Sequence, residues 1–167
     1  IWHMETPNTK NGVSQKTATG HNARTVRGVI AQAQEFSGKK QPRIVADPVG
    51  KELQITGPLT VSAWVKPLAR SGILGIITKG GGWGEFNLHV KGGSARPSFE
   101  LKPFLPDGGS APIGATSLEP GKWRHVAGTW DGTTARVFVD GIEDAKVKGK
   151  GTINSGSTLL RFGAIEN

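Results

Sequence analysis

The sequence predicts an all-β chain folded as two antiparallel sheets packed face to face. Three observations carry this expectation. The 167 residues include 25 glycines and 10 prolines, which weaken or break helices and suit tight turns. The apolar residues fall in short runs with a period of two, clearest at 59–66 and 123–130, as half-buried strands require. The dipeptides Asp131-Gly132 and Asp140-Gly141 follow directly on such runs, which is the signal of a hairpin. The length suits one domain, residues 1–167.

Twelve short strands are expected, at 1–5, 29–36, 43–46, 59–66, 75–79, 85–90, 98–101, 113–115, 123–130, 135–139, 144–148 and 159–162. Segment 59–66 alternates well: Leu59, Val61, Ala63 and Val65 share one face, and Thr60, Ser62, Trp64 and Lys66 the other. A Trp on the second face implies that both faces are at least partly covered. In 123–130, Trp123, His125, Ala127 and Thr129 oppose Arg124, Val126, Gly128 and Trp130. Residues 6–27 and 103–112 read as polar, Gly- and Pro-containing loops. Five Trp and six Phe, with no Tyr, supply much of the core, and Trp64, Trp123 and Trp130 are large enough to fill the space between sheets about 10 Å apart.

Composition excludes several classes. The chain has no cysteine, which rules out a disulfide framework and thiolate zinc sites. No apolar run approaches the roughly 20 residues that span a bilayer, so no membrane insertion is expected. The opening Ile1-Trp2-His3-Met4 reads as a strand already under way and not as a signal peptide, and the chain is expected to be a piece of a longer polypeptide. The formal charge of +8 serves solubility or attracts a polyanion. The tight basic groups are Lys39-Lys40 and the alternating Lys146, Lys148 and Lys150. The latter three share a strand face, either as guards of an edge strand or as a binding stripe. Nucleic acid is not an expected partner, because charge alone would support it.

Several segments resemble, in order, the laminin-G-like branch of the concanavalin A-like jelly rolls. Residues 123–132, W-R-H-V-A-G-T-W-D-G, followed by 136–141, R-V-F-V-D-G, are similar to that family's signature hairpin. Residues 33–38 (A-Q-E-F-S-G is carried by Ala33, Gln34, Glu35, Phe36, Ser37 and Gly38), 59–67 (L-T-V-S-A-W-V-K-P) and 77–80 (I-T-K-G) match further elements, and Trp2 to Met4 and Gly20 to Ala23 resemble the opening strand and first loop. The resemblance implies a two-sheet jelly roll of a bacterial surface or envelope protein, recognising ligands with its rim loops or a sheet face, in an extracellular, cell-surface or periplasmic setting. Relatives hold calcium in the first loop with an Asp-Ser pair. Here Gln15 and Lys16 stand at those positions, and an amide beside an ammonium is a poor hard-cation site. Asn22 and Asp47 are the remaining candidate metal ligands, with Asp107, Asp131, Asp140, Glu143 and Asp144 further carboxylates; Asp131 and Asp140 read first as turn formers. The family's closing strand, after the element matched by Leu159 to Gly163, has no counterpart, so an unpaired neighbour or a strand supplied from elsewhere in the parent polypeptide is expected.

A retaining or inverting glycosidase needs two carboxylates facing one cleft, which on a strand means positions i and i+2. No such pair occurs, and Glu143-Asp144 are adjacent. The four His are dispersed without metal-ligand spacing. His125 reads as a core or sheet-surface residue. The surface candidate is Trp83 in the glycine loop 80–84, able to stack on a sugar ring with Glu85, His89 and Arg96 supplying hydrogen bonds, and with Phe104 and Asp107 completing the site; folding back of Trp83 as a lid is the structural alternative. The expected function is a non-catalytic carbohydrate-binding or adhesion module. A protein-docking module is the alternative, and a glycoside hydrolase the remote one.

Overall fold

Alternation dictates sheets here because each strand can bury only every second side chain, and two such faces bury each other. A computed structural model describes residues 9–10, 17–37, 42–46, 51–68, 72–80, 85–102, 105–106, 111–153 and 156–164. Its strands are β1 (Thr9–Lys10), β2 (Thr17–His21), β3 (Arg24–Arg27), β4 (Gln32–Glu35), β5 (Arg43–Ala46), β6 (Leu59–Val65), β7 (Leu74–Lys79), β8 (Phe86–Lys91), β9 (Arg96–Leu101), β10 (Leu105–Pro106), β11 (Arg124–Trp130), β12 (Thr134–Val139), β13 (Ile142–Lys150) and β14 (Leu160–Phe162). A single 3-10 turn, Lys51–Leu53, is the only helical element among the described residues.

One sheet has seven strands in the order β1-β2-β5-β14-β7-β8-β9, the other five in the order β10-β13-β12-β11-β6, and β3-β4 stands apart as a hairpin. All the pairings are antiparallel. The inner faces meet in a core that includes Phe86, Leu88 and Phe99 from the first sheet and Val126, Trp130 and Val137 from the second. The sheets approach closely at Gly128, where a Cβ would overlap the Phe99 ring.

The hairpin turns follow their sequences. Asp140 and Gly141 both have positive φ, 51° and 83°, the pair of left-handed residues that a two-residue type I′ turn needs. At the β11–β12 corner the Asp131 carboxylate instead accepts from Thr133 N at 2.9 Å and Thr134 N at 2.8 Å, an Asx turn. Both aspartates are turn formers.

The structure corrects the sequence reading in five places, and the first is 113–115, which forms no strand but only an isolated bridge of Ile113 to Ser98. Residues 6–27 are not a continuous loop, because β1, β2 and β3 lie within them. Their polar composition hides the alternation. The strand expected at 29–36 begins only at Gln32, since Gly28 to Ala31 form the tip of the β3–β4 hairpin, closed by Gly28 N donating to Ala31 O at 3.0 Å. Val29 and Ile30 are therefore exposed at that tip. The loop 103–112 contains β10, which pairs Leu105 and Pro106 with Lys150 and Gly149. Strand β14 does not lack a neighbour: it lies inside the sheet, bonded to β5 on one side and β7 on the other. The expected strand at residues 1–5 lies outside the described residues.

Candidate functional site

Of the residues that the sequence marked, Trp83, Phe104, Asp107, Asp47, Gln15 and Lys16 lie outside the described residues. Glu85 is buried, and its carboxylate is committed. It pairs with the fully buried Lys79 ammonium, accepts from Thr158 Oγ1, and accepts from Gly156 N at 3.1 Å. Lys79 also donates to Gly156 O at 2.8 Å. This ion pair is a strut that ties the 156–158 segment to the start of β8. Asn22 is an exposed turn residue with φ 53°. Asp144 accepts from Thr116 N and Thr116 Oγ1. No group of three His, Cys, Asp or Glu with metal-binding proximity occurs among the described residues.

His89 and Arg96 do share one face, the side of β8–β9 turned away from the core. There the register sets Asn87 beside Glu100, His89 beside Ser98 and Lys91 beside Arg96. His89 is buried, with Nε2 3.8 Å from Glu100 Oε1. Burial holds its pKa below the ordinary imidazole value, and the nearby Lys91 acts in the same direction. Glu100 and the Asn87 backbone oppose the shift. Its Nδ1 and the Asn87 Oδ1 are buried without a well-formed hydrogen bond. Arg96 donates Nε–H to Gly114 O, which fastens the 112–114 segment along β9. This face is polar and, at Asn87, His89 and Ser98, buried, and among the described residues it presents no accessible aromatic ring.

Among the described residues, the accessible aromatic surface is on the outer face of the five-stranded sheet. Of the three tryptophans assigned to the core, only Trp130 is there, 3% exposed, whereas Trp64 is 50% exposed. The cause is strand parity. Leu59, Val61, Ala63 and Val65 turn inward as expected, so Trp64 turns outward, and among the described residues no further layer covers it. Opposite Trp64 on β11 is His125, with ring centroids 5.5 Å apart and planes at 61°, a favourable edge-to-face contact. One step along, Lys66 Nζ sits 5.3 Å from the Trp123 ring centroid, within cation–π range. Trp64, His125, Trp123 and Lys66 thus form two adjacent cross-strand pairs. Next to them the register aligns Ser62, Ala127, Phe138 and Glu143, then Thr60, Thr129, Arg136 and Lys146.

Asp140 braces this patch from the turn: it accepts from His125 N at 2.9 Å and pairs with Arg124. These contacts hold its carboxyl below the ordinary aspartate range, the His125 backbone N–H first. Asp131 is likewise held low, by the Arg136 guanidinium and then by the Thr133 and Thr134 amides. The sequence contained the signal for this patch, namely Trp64 and Lys66 on the polar side of 59–66. A Trp on a strand face does not by itself show that the face is covered.

A family model for the concanavalin A-like lectin/glucanases superfamily matches residues 38–166. No curated protein matches the chain. Among solved structures, domain 4 of AbnA, an extracellular arabinanase from Geobacillus stearothermophilus in complex with arabinotriose, is similar at a TM-score of 0.67 and 17% identity, over 93% of this chain and 78% of that one. The binding domain of botulinum neurotoxin DC in complex with SialylT is similar at a TM-score of 0.66 and 14% identity, over 100% of this chain and 43% of that one. The two-sheet architecture, the signature hairpin at 123–141 and the match over most of the length lead to one assignment: the chain belongs to the concanavalin A-like lectin/glucanases superfamily.

Proposed function

We propose that this protein is a non-catalytic glycan-binding module that acts outside the cytoplasm and holds its ligand on the outer face of the five-stranded sheet. The observation that carries the reading is the exposed Trp64 ring, held edge-to-face by His125, with hydroxyl-bearing Ser62 and Thr60 following it along the same face of β6. An indole held open beside donors and acceptors suits the apolar face of a sugar ring, with its hydroxyls satisfied at the margin. The likeness to a domain in complex with arabinotriose and to one in complex with SialylT supports the ligand class. No reacting group is assigned: Glu85 is engaged by Lys79, Gly156 and Thr158, and Asp144 by Thr116.

The test is a glycan array followed by titration calorimetry on the bound sugars. Burying about 80 Å² of indole at ~25 cal/mol per Å² is worth ~2 kcal/mol, about thirty-fold in affinity, so Trp64→Ala is expected to lose at least that factor. Because half of Trp64 is buried and its ring contacts His125, the same variant is also expected to cost about 1–2 kcal/mol of stability, so its binding is measured below its melting transition. Glycan binding that survives Trp64→Ala at full strength overturns this siting, and a chain that binds no glycan overturns the function.

A further inference from the structure

The face that carries Trp64 is not electrically neutral. Its outward residues include Lys66, Arg136, Lys146, Lys148 and Lys150, against the carboxylates of Glu143 and, at the β11–β12 turn, Asp131. Both carboxylates are already committed. Asp131 pairs with Arg136, and Glu143 lies 3.4 Å from Arg136 Nε and 3.0 Å from Lys146 Nζ. Lys148 and Lys150 are exposed and have no carboxylate partner among the described residues. They are not guarding a bare edge, because β10 pairs with Gly149 and Lys150 on one side and β12 with Lys148 on the other.

Resting on the glycan reading above, we propose that the ligand of this face is a linear, sparsely charged anionic polysaccharide. It packs one ring on Trp64 and extends diagonally across β11 and β12 to place a carboxylate or sulfate at Lys148 and Lys150. The register fixes the span. Trp64 and Lys148 are three strands and three residue pairs apart, about 25 Å at strand spacings of ~4.8 Å and ~6.8 Å per pair. A single sugar cannot bridge that distance, whereas a chain of several can. The row next to Trp64 is uncharged at Ser62, Ala127 and Phe138 and acidic at Glu143, and the row after it holds Thr60, Thr129, Arg136, already paired with Asp131, and Lys146, already paired with Glu143. A polymer with an anion on every residue, such as a nucleic acid strand, would set charges over that uncharged and acidic row. A glycan whose neutral sugars separate its acidic ones would set hydroxyls there.

The experiment uses hyaluronan, polygalacturonate, alginate and chondroitin sulfate oligosaccharides, each paired with its carboxyl-reduced or desulfated form, with oligo-dT as the non-sugar polyanion. At least one acidic member is expected to bind ten-fold or more tighter than its neutral partner, and to weaken as salt rises. The double variant Lys148→Gln with Lys150→Gln is expected to bring it down to the neutral level, while Lys51→Gln, on the 3-10 turn outside this face, leaves it unchanged. Trp64→Ala is expected to weaken both members of the pair. Equal binding of acidic and neutral forms, still dependent on Trp64, sinks the anionic inference and leaves the glycan reading standing. Failure of every glycan sinks the glycan reading itself. Oligo-dT bound as tightly as the best glycan, and equally sensitive to the Lys148 and Lys150 substitutions, also overturns the proposal.

Discussion

At the scale of single residues, two positions show how little room the fold leaves. Gly128 sits where β11 crosses over Phe99, and a methyl group there would overlap the ring. Gly128→Ala is expected to cost about 1–3 kcal/mol, the usual price of overpacking, read as a lowered urea midpoint at constant slope. His89 makes stability depend on pH. Its folded pKa lies below the ordinary value of 6.5 because burial disfavours the cation. Above that value both states are neutral and the residue contributes nothing to the pH dependence. As pH falls through 6.5 the unfolded chain takes up the proton first, so stability declines until the folded pKa is passed. The melting temperature is therefore expected to fall between pH 7.5 and 5.5, and His89→Gln to flatten that decline. An unchanged slope in the variant would remove the assignment. The sequence marked His89 as a residue of interest but gave no hint of its burial, because what lies over a strand face is decided by distant segments.

At the scale of elements, the Lys79–Glu85 pair joins the end of β7, the start of β8 and the 156–158 segment. Removing one partner strands a buried charge, so Glu85→Gln or Lys79→Met is expected to cost about 3–5 kcal/mol. The double variant is expected to cost clearly less than the two together, because no lone charge remains. Chemical denaturation of the four proteins gives the coupling directly. The strand assignments were largely legible beforehand, since alternation and turn dipeptides are local: β5 occupies 43–46 as read, and β6, β11 and β12 shift by one residue at their ends. Strand β4 falls within the expected strand 29–36, but β3 and the hairpin that joins them were illegible because β3 has no apolar side. Arg24 to Arg27 are polar apart from Val26, and the turn relies on a positive φ at Ala31, a residue with no turn signature.

At the scale of the whole molecule, closure depends on partners far apart in sequence. Strand β6 pairs with β11 through registers such as Leu59 to Trp130, β2 with β5, and β14 with both β5 and β7. Such long-range pairings require loop closure before they yield contacts, so refolding is expected on the millisecond-to-second scale. Stopped-flow tryptophan fluorescence reads it, with Trp130 entering the core and Trp64 remaining in solvent. A complete microsecond phase would contradict the topology.

What the sequence by itself determined was the grammar of the sheets. Side chains alternate, so residues 59–66 and 123–130 had to present one apolar face, and Asp140-Gly141 had to turn. Tertiary structure alone decided which face met a neighbour. Parity sorts residues into two sides without saying what covers either. Only the closed sandwich shows that Trp130 is buried while Trp64 faces water, that Glu85 is a strut, and that β14 is enclosed by strands on both sides.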